Sequence, residues 1–467
     1  MQNKTENRLP LLLFPKQLIN PRSEWYQFEH LMPWQELEDM MKPLFSDSGR
    51  NAIPVRQIIG ALIIQAKKNL SDRETMIAIM ETPMLQYFLG LDDFIHNPIF
   101  DFTLLCKYRQ MIGIDIAKEM IETLLTKHKI IHTPVKDDVT HKGSMSIDAS
   151  VVPVNITYPT DLKLLNQVRE KTEEIIDVCH EQSDEKEKPR TYRIEARKTY
   201  LKYAKAKRLS KNKRFTANRQ QLQYIQRNLK NIDERIEKGV YQLNEAHIEV
   251  LKVCKTINDQ QYRMWETKTN RIDDRLVNLY QPHIRCIVRG KAGSPYEFGP
   301  KIAVSKVNGF IHLDEISFDN FNESKTIESL IDKYKRLHGV YPNIIRADKI
   351  YQTRTSKALC KELDIRLSGK PLGRPKKETN ETNEQLMKED FVKRLEIEGV
   401  FGVAKTKYGL SKLMTKLPES QKASIGLVFF VMNLCQILSF VRFSETLEML
   451  ILEIYFNETS YVYDDEG

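Results

Sequence analysis

The feature that most constrains the fold is residues 161–279, a long, helical and highly charged stretch without a strand pattern. Strand patterns stand on both sides of it. A chain that builds one sheet from segments before and after such a stretch must carry the stretch as an insertion. We therefore expect a mixed α/β sheet flanked by helices, with a helical hairpin inserted after the first strand.

The strand patterns themselves are short. In residues 144–151 apolar side chains alternate with serine and aspartate, which is the period of a strand. Residues 297–318 predict two further strands joined at Asn308-Gly309, a strong hairpin signal. The segment 324–369 then alternates helix, strand, helix and strand, whereas residues 30–130 have only helical spacing. The sequence therefore predicts an all-helical N-terminal region followed by an α/β region.

The positive charge of the chain is concentrated in the predicted insertion. Residues 188–214 hold twelve Lys or Arg against one acid, Glu195, although the whole chain has a net charge of only +9. Such a segment favours a polyanionic partner, nucleic acid before a membrane surface, and tyrosines between the charges could stack on bases. A solvated basic helix without a partner is the alternative.

Two aspartates stand in positions that suggest chemistry. Asp148 lies in the middle of the first strand, where aspartate is disfavoured, although a solvent-facing position on an edge strand would explain it equally well. Asp348 follows the apolar run 343–347, and α/β sheets place ligands just beyond the carboxyl ends of strands. Capping the next helical turn is the competing role for Asp348.

A third carboxylate is selected by helix geometry. At 100° per residue, Arg394, Glu398 and Lys405 fall on one face of the helix predicted around residues 389–410, and Glu396 falls nearly opposite. Glu396 is therefore expected to be solvated or paired with lysines of the outer face. Gly399 and Gly402 weaken the helix beyond Glu398, which makes Lys405 the least constrained of the three.

Two strand-borne aspartates and a helix-borne glutamate suit a two-metal phosphodiester site. Carboxylate oxygens hold Mg²⁺ or Mn²⁺ ions ~3.5–4 Å apart in such sites, and Arg394 and Lys405 would position phosphates. The motifs of P-loop, dinucleotide-binding, zinc-protease and serine-hydrolase sites are absent from the sequence. Six scattered cysteines give no zinc spacing and suggest a reducing cytoplasm.

At these residues the chain resembles bacterial insertion-sequence transposases of the DDE type, in the broad IS-five grouping. The resemblance rests on "SIDASVVPVNITYPTD", "ADKIYQTR" and "EIEGVFGVAKTKYGL", among other stretches. It implies a ribonuclease-H-like catalytic core in which Asp148, Asp348 and Glu398 hold two divalent metal ions. It also implies that water cuts the element ends and that the freed 3′-hydroxyl attacks target DNA.

The resemblance also covers the residues around the glutamate. The family often shows Tyr-x2-Arg-x3-Glu-x6-Lys, and here Arg394, Glu398 and Lys405 keep the spacing, whereas Phe391 replaces the tyrosine and loses its hydroxyl contact to DNA. Ile350 stands where a glycine is common after the second aspartate. The implied partners are double-stranded DNA, meaning element ends and target, and a second copy of the chain in a synaptic complex.

These expectations divide the chain into five segments. They are a helical DNA-binding or dimerisation domain (1–135), the first strand of the catalytic domain (143–160), the basic insertion (161–285), the remainder of the catalytic domain (286–450) and an acidic tail (451–467). The expected DNA-binding residues are Arg394, Lys405, Arg374, Lys198, Lys202, Lys205 and Arg208. Arg374 sits in a Gly-Arg-Pro sequence that could enter a minor groove, although a basic surface loop is the favoured interpretation.

The sequence leaves two alternative functions open. They are a ribonuclease-H-like endonuclease that cuts without joining and a non-catalytic DNA-binding protein derived from a transposase.

Residues 424–441 are apolar enough to suggest a membrane span, but Asn433 and Gln436 interrupt them, so we expect a buried helix. The expected location is cytoplasmic, at the nucleoid, without a membrane partner.

Overall fold

A computed structural model of the protein describes residues 20–45, 53–133, 135–136, 138–291, 294–369 and 381–461. The chain divides into two compact units. The first contains the residues up to Val152, Ile302–Ile316 and the residues from Phe321 onward, and the second contains Pro153–Lys301 with Ser317–Asn320. The mixed α/β class predicted from the sequence is confirmed, with a sheet of five strands.

The helices and strands of the described residues follow in chain order. The helices are α1 (Glu24–Leu31), α2 (Trp34–Met41), α3 (Val55–Lys68), α4 (Asp72–Glu81), α5 (Pro83–Phe88), α6 (Thr103–Lys127), α7 (Asp161–Glu181), α8 (Arg193–Ala204), α9 (Lys211–Glu237), α10 (Glu245–Glu266), α11 (Ile327–His338), α12 (Arg354–Glu362), α13 (Glu381–Thr406) and α14 (Pro418–Tyr461). The strands are β1 (Ser144–Val151), β2 (Cys286–Lys291), β3 (Ser294–Phe298), β4 (Lys301–Val307), β5 (Phe310–Ser317), β6 (Ile344–Arg346) and β7 (Arg366–Leu367). Short 3₁₀ turns occupy Glu323–Thr326 and Lys349–Tyr351.

The first unit is built on a sheet with the strand order β5-β4-β1-β6-β7. Strand β1 is central and pairs in parallel with β6, so that Ser146 stands opposite Arg346, and β6 pairs in parallel with β7. Strands β4 and β5 form the predicted hairpin. Its two turn residues, Asn308 and Gly309, have φ values of 51° and 90°, the left-handed geometry that a two-residue hairpin turn requires.

Helices cover both faces of this sheet. Met145 and Ile147 of β1 belong to an apolar core with α11, α12 and Tyr351 on one face. The face that carries Ser146, Asp148 and Ser150 lies against α13, since Lys405 of α13 donates to Ser150. Because side chains alternate along a strand, the chain needs a helix layer on each side to bury a central strand.

The N-terminal helices pack with α14 in the same unit. Helix α4 is capped by Ser71, which forms a capping box with Glu74. Helix α14 packs along α6 so closely that the backbone of Gly426 approaches Ala117. Its predicted polar interruption has a partner, because the Asn433 side chain accepts from and donates to the backbone of Ile311.

Helix α14 also answers the membrane question raised by the sequence. The stretch Pro418–Ser444 is the one helix of the described chain that is long and apolar enough to cross a membrane. Most of its apolar window is buried within the first unit, including Phe429, Phe430 and Leu434. The prediction of a buried core helix therefore fits this stretch.

The second unit contains α7–α10 and the antiparallel pair β2 and β3. The expected single hairpin was wrong, since the segment forms four helices, with breaks near Pro189, before Ser210 and at Gly239. The helical stretch also ends earlier than expected, at Glu266 rather than near residue 279, where asparagines, aspartates and Pro282 favour turns. Strands β2 and β3 were not predicted, because two glycines and a proline interrupt their alternation.

Candidate active site

Asp148 stands on the central strand of the five-stranded sheet. The solvent-facing edge position, which the sequence left open, is excluded, because β1 has β4 on one side and β6 on the other. Asp148 is half-buried between the buried Ser146 and Ser150 on the polar face of β1. Its Oδ1 accepts a hydrogen bond of 2.8 Å from the backbone N–H of Ala149.

Asp348 follows the neighbouring strand β6 and is exposed. Its side chain accepts a 2.7 Å hydrogen bond from the Lys349 N–H and caps the 3₁₀ turn Lys349–Tyr351. The capping role considered from the sequence is therefore real. Since β1 and β6 are parallel neighbours, the same arrangement also brings Asp348 toward Asp148.

The surroundings of Asp148 make its ionisation costly. Burial, together with the charges of Glu323 and Asp348, raises the pKa of Asp148 to about 6. The Ala149 N–H and the charge of Arg394 act in the opposite direction. A buried carboxyl group that is surrounded by other carboxylates is stabilised by a cation, so this environment is chemically suited to a metal ion.

Helix α13 carries the predicted site residues Arg394, Glu398 and Lys405. Arg394 and Glu398 form an ion pair of 2.9 Å, and Lys405 Nζ lies 3.0 Å from Ser150 Oγ. Glu396 lies elsewhere on the helix and pairs with Lys306 of β4 at 2.9 Å, where its side chain is 56% exposed. Phe391 is exposed, and the Arg394 guanidinium lies 5.5 Å from its ring centroid.

A residue that the sequence analysis did not single out fixes α13 on the sheet. Asp390 is buried and accepts hydrogen bonds from Arg346 of β6 and from both terminal nitrogens of Arg366 of β7. A signal for it existed, since Asp390 falls on the helix face of the buried Ile397. A charged residue on a buried helix face needs an ionic partner.

Replacement of Asp390 by asparagine is expected to lower the free energy of unfolding by about 3 kcal/mol, because the buried Arg346 would lose its charge partner. Glu396→Gln on the same helix is the control and should cost less than ~1 kcal/mol, since its ion pair is exposed. Urea denaturation of both variants measures the difference. Equal losses would show that Asp390 does not hold α13 in place.

A second residue that the sequence analysis did not single out is Glu323, in the 3₁₀ turn after β5, and it has no sequence signal. Its turn packs against the turn that Asp348 caps, and its charge acts on Asp148 and on the fully buried Tyr351. Burial, together with the charges of Glu323 and Asp148, holds the pKa of Tyr351 well above its usual range. Glu323 therefore belongs to the acidic surroundings of Asp148.

The three predicted ligands are engaged locally in this structure. Asp148 accepts from Ala149, Asp348 caps its own turn, and Glu398 pairs with Arg394. Across the part of the chain that the structure describes, no three His, Cys, Asp or Glu side chains are grouped closely enough to hold a metal ion. A metal site at these residues would require the side chain of Glu398 to leave Arg394.

The remaining predicted DNA-binding residues lie in the second unit or outside the described residues. Lys198 and Lys202 lie on α8, with Lys205 and Arg208 directly after it, and all four are exposed. Lys202 Nζ stands 5.7 Å from the ring centroid of Tyr203. Arg374 and its Gly-Arg-Pro sequence fall in residues 370–380, outside the described residues.

Two family models match separate parts of the chain. Residues 345–435 match the transposase DDE domain, and residues 14–111 match a transposase domain of the type DUF772. The first stretch contains Asp348 and Glu398, whereas Asp148 precedes it. Together the two matches support a bacterial insertion-sequence transposase of the DDE type.

One curated relative is an uncharacterized protein, ORF8 in the nfe locus, of Rhizobium meliloti. It is 24% identical to this chain over 147 residues, which are 32% of this chain and 70% of that protein. No solved structure matches the chain.

Proposed function

We propose that the protein is an insertion-sequence transposase that cuts DNA at element ends and joins the ends to target DNA. In the proposed reaction, water attacks the phosphodiester at each end and releases a 3′-hydroxyl, which then attacks a target phosphodiester and displaces its 3′-oxygen. The single observation that carries the proposal is the placement of Asp148 on β1 and of Asp348 just after the adjacent parallel strand β6, next to the helix that bears Arg394, Glu398 and Lys405.

The residues present suit two divalent cations. Asp148, Asp348 and Glu398 would supply hard oxygen ligands, and the raised pKa of Asp148 marks a place where added positive charge is favoured. Mg²⁺ or Mn²⁺ bound there would stabilise negative charge on the attacking and leaving oxygens. The proposal requires Glu398 to exchange Arg394 for the cation.

The protein's own groups have separate roles in the proposed reaction. Arg394, once released from Glu398, is free to donate to a phosphate oxygen of the strand to be cut. Lys405 is held at Ser150 on the face of Asp148, where its charge would hold the same phosphate. Phe391 would pack against sugar or base rather than donate a hydrogen bond, since it lacks the hydroxyl of a tyrosine.

We also propose that the sheet is of the ribonuclease-H-like type. What supports this is the order β5-β4-β1-β6-β7, with a hairpin on one side of β1 and two parallel strands on the other. Asp148 then lies on the central strand, and Asp348 lies just beyond the end of its parallel neighbour β6. Two element ends must be brought together before joining, so the active form is proposed to be a homodimer on double-stranded DNA.

A strand-transfer assay with Mg²⁺ and DNA from the ends of the element tests the proposal. Joined products between element ends and target DNA are expected. Cleavage without joining would instead favour the endonuclease. DNA binding without cleavage would favour a non-catalytic descendant of a transposase.

Two glycines of α13 give a prediction about how DNA approaches this helix. The structure explains why the other helical glycines of the described chain are glycines. An added Cβ would meet close neighbours at Gly60 and Gly426, and Gly113 has a φ of 54°. At Gly399 and Gly402 an added Cβ would meet nothing within 4 Å. Because both lie near Glu398 on an exposed face, we propose that the DNA backbone passes close to them.

Gly402→Ala should therefore raise the free energy of unfolding by up to ~1 kcal/mol, through helix propensity, and still lower the rate of DNA cleavage. Val403→Ala, which shortens the exposed neighbour, is the control and should retain cleavage. Thermal unfolding and cleavage are measured on the same preparations. Full cleavage activity in Gly402→Ala would exclude close approach of DNA at this position.

A further inference from the structure

The second unit contains an aromatic ring that is flanked by two arginines. The guanidinium carbon of Arg190 lies 4.7 Å from the ring centroid of Tyr192, and that of Arg227, on α9, lies 4.5 Å from the same centroid. Arg227 also lies 5.8 Å from the ring centroid of Tyr224. Two positive charges from different parts of the chain are thus held at one aromatic side chain that is 41% exposed.

Two neighbouring cations of this segment are neutralised by a carboxylate, whereas Arg190 and Arg227 are not. Lys188 and Arg193 both pair with Asp177, at 2.8 and 2.6 Å. Neither Arg190 nor Arg227 forms an ion pair with a carboxylate anywhere in the described ranges of the chain. Two like charges near one ring repel each other, and a cation–π contact at an exposed site returns only about 0.5–1 kcal/mol each. The arrangement is therefore better suited to an added anion than to stability alone.

The backbone at Tyr192 supports a functional reason for the arrangement. Tyr192 has φ 54° and ψ 27°, in the left-handed region that non-glycine residues seldom adopt, and it directly precedes α8. Such a conformation costs of order 1 kcal/mol, and costs of this kind cluster at functional sites. This backbone conformation brings the ring to the position that both guanidiniums share.

We propose that Arg190, Tyr192 and Arg227 form a phosphate-binding site for the backbone of double-stranded DNA. The inference rests on the proposed function, from which it takes DNA as the polyanion. Arginine guanidiniums fit phosphate oxygens in a fork geometry, and Tyr192 is the positioning residue that holds both forks ready. Contacts of this kind position DNA without reading its sequence. In addition to the exposed lysines of α8, this site provides two positive charges that are already positioned for a phosphate.

The salt dependence of DNA binding tests the site. The probe is a short synthetic duplex of arbitrary sequence, bound by the full-length protein. The slope of log affinity against log salt should become shallower by about 0.9 for each lost phosphate contact, thus by nearly 2 in Arg190→Gln/Arg227→Gln. Affinity near ~0.1 M salt should fall about tenfold or more.

Matched variants separate a contact from a change in net charge. Arg193→Gln removes one charge a few residues away, but from an arginine that already pairs with Asp177, and should change the slope little. Tyr192→Phe should retain the wild-type slope because the ring remains, whereas Tyr192→Leu should resemble the arginine variants. A double variant with the slope of Arg193→Gln would overturn the site. If the double variant still bound the duplex but no longer bound anionic lipid vesicles, DNA would be excluded as the partner of this site.

The outcomes also separate this site from the proposed activity. If the wild-type protein cuts and joins DNA but the double variant keeps the wild-type slope, the site fails and the transposase proposal stands. If the double variant has a shallower slope but the wild-type protein cuts no DNA, the site stands and the transposase proposal fails.

Discussion

Asp148→Asn is expected to stabilise the protein and to abolish DNA cleavage. In the metal-free protein burial raises the pKa of Asp148 to about 6 from its ordinary value of 3.8. The folded state therefore binds this proton more tightly than the unfolded state, and the free energy of unfolding falls as the pH rises from about 4 to about 6. At about 1.4 kcal/mol per pKa unit the loss is at most ~3 kcal/mol at neutral pH. Asparagine avoids this cost and keeps the oxygen that accepts from Ala149.

Urea denaturation without divalent ions, at about pH 7.5 and about pH 4, measures the effect. The variant should be more stable by about 1–3 kcal/mol at the higher pH, and the gap should close at the lower pH. A Trp265→Phe background leaves Trp25 and Trp34, both in the first unit, as the fluorescent reporters. The exposed Asp332→Asn is the control. A variant less stable than the wild type at both pH values would contradict the account of the Asp148 environment.

The second large effect distinguishes the two glutamates of α13. Glu398→Gln should lower DNA cleavage by about 10³-fold or more, because the amide is a poor ligand for the cation that stabilises the reaction. Glu396→Gln is the matched control on the same helix, with the same change of charge, and should stay within about twofold of the wild type, since it loses only an exposed ion pair with Lys306. Cleavage rates on element-end DNA at saturating Mg²⁺ measure both.

The affinity of each variant for end DNA should be measured together with its cleavage rate. Glu398→Gln should bind DNA at least as tightly as the wild type, because the change frees Arg394 from its ion pair. The opposite pattern, an active Glu398→Gln with an inactive Glu396→Gln, would reverse the assignment of the two carboxylates.

Much of the first unit follows from local patterns. Alternation marks β1, the Asn308-Gly309 pair marks the β4–β5 hairpin, and Gly339, with a φ of 74°, ends α11 as a left-handed cap. Helical periodicity separates Glu396 from Glu398, and in the structure the first contacts Lys306 whereas the second contacts Arg394. These features depend on residues within a few positions of each other, so a sequence contains them directly.

Other features depend on contacts that are distant in sequence. The arginine partners of Asp390 and the effect of Glu323 on Asp148 arise from tertiary packing, which no local pattern indicates. The single hairpin expected for residues 161–279 failed because local breaks at Pro189 and Gly239 divide the segment into separate helices. The αL conformation of Tyr192 and its two arginines combine a local turn with a distant helix, so neither part was visible alone.

The most direct test of the central claim is a crystal structure of the protein with end DNA and Mn²⁺, in which anomalous scattering locates the metal ions. We predict two Mn²⁺ peaks contacted by Asp148, Asp348 and Glu398, with the Glu398 side chain moved away from Arg394 and Arg394 on a DNA phosphate. Peaks at other residues, or Glu398 still paired with Arg394 beside a bound DNA end, would contradict it.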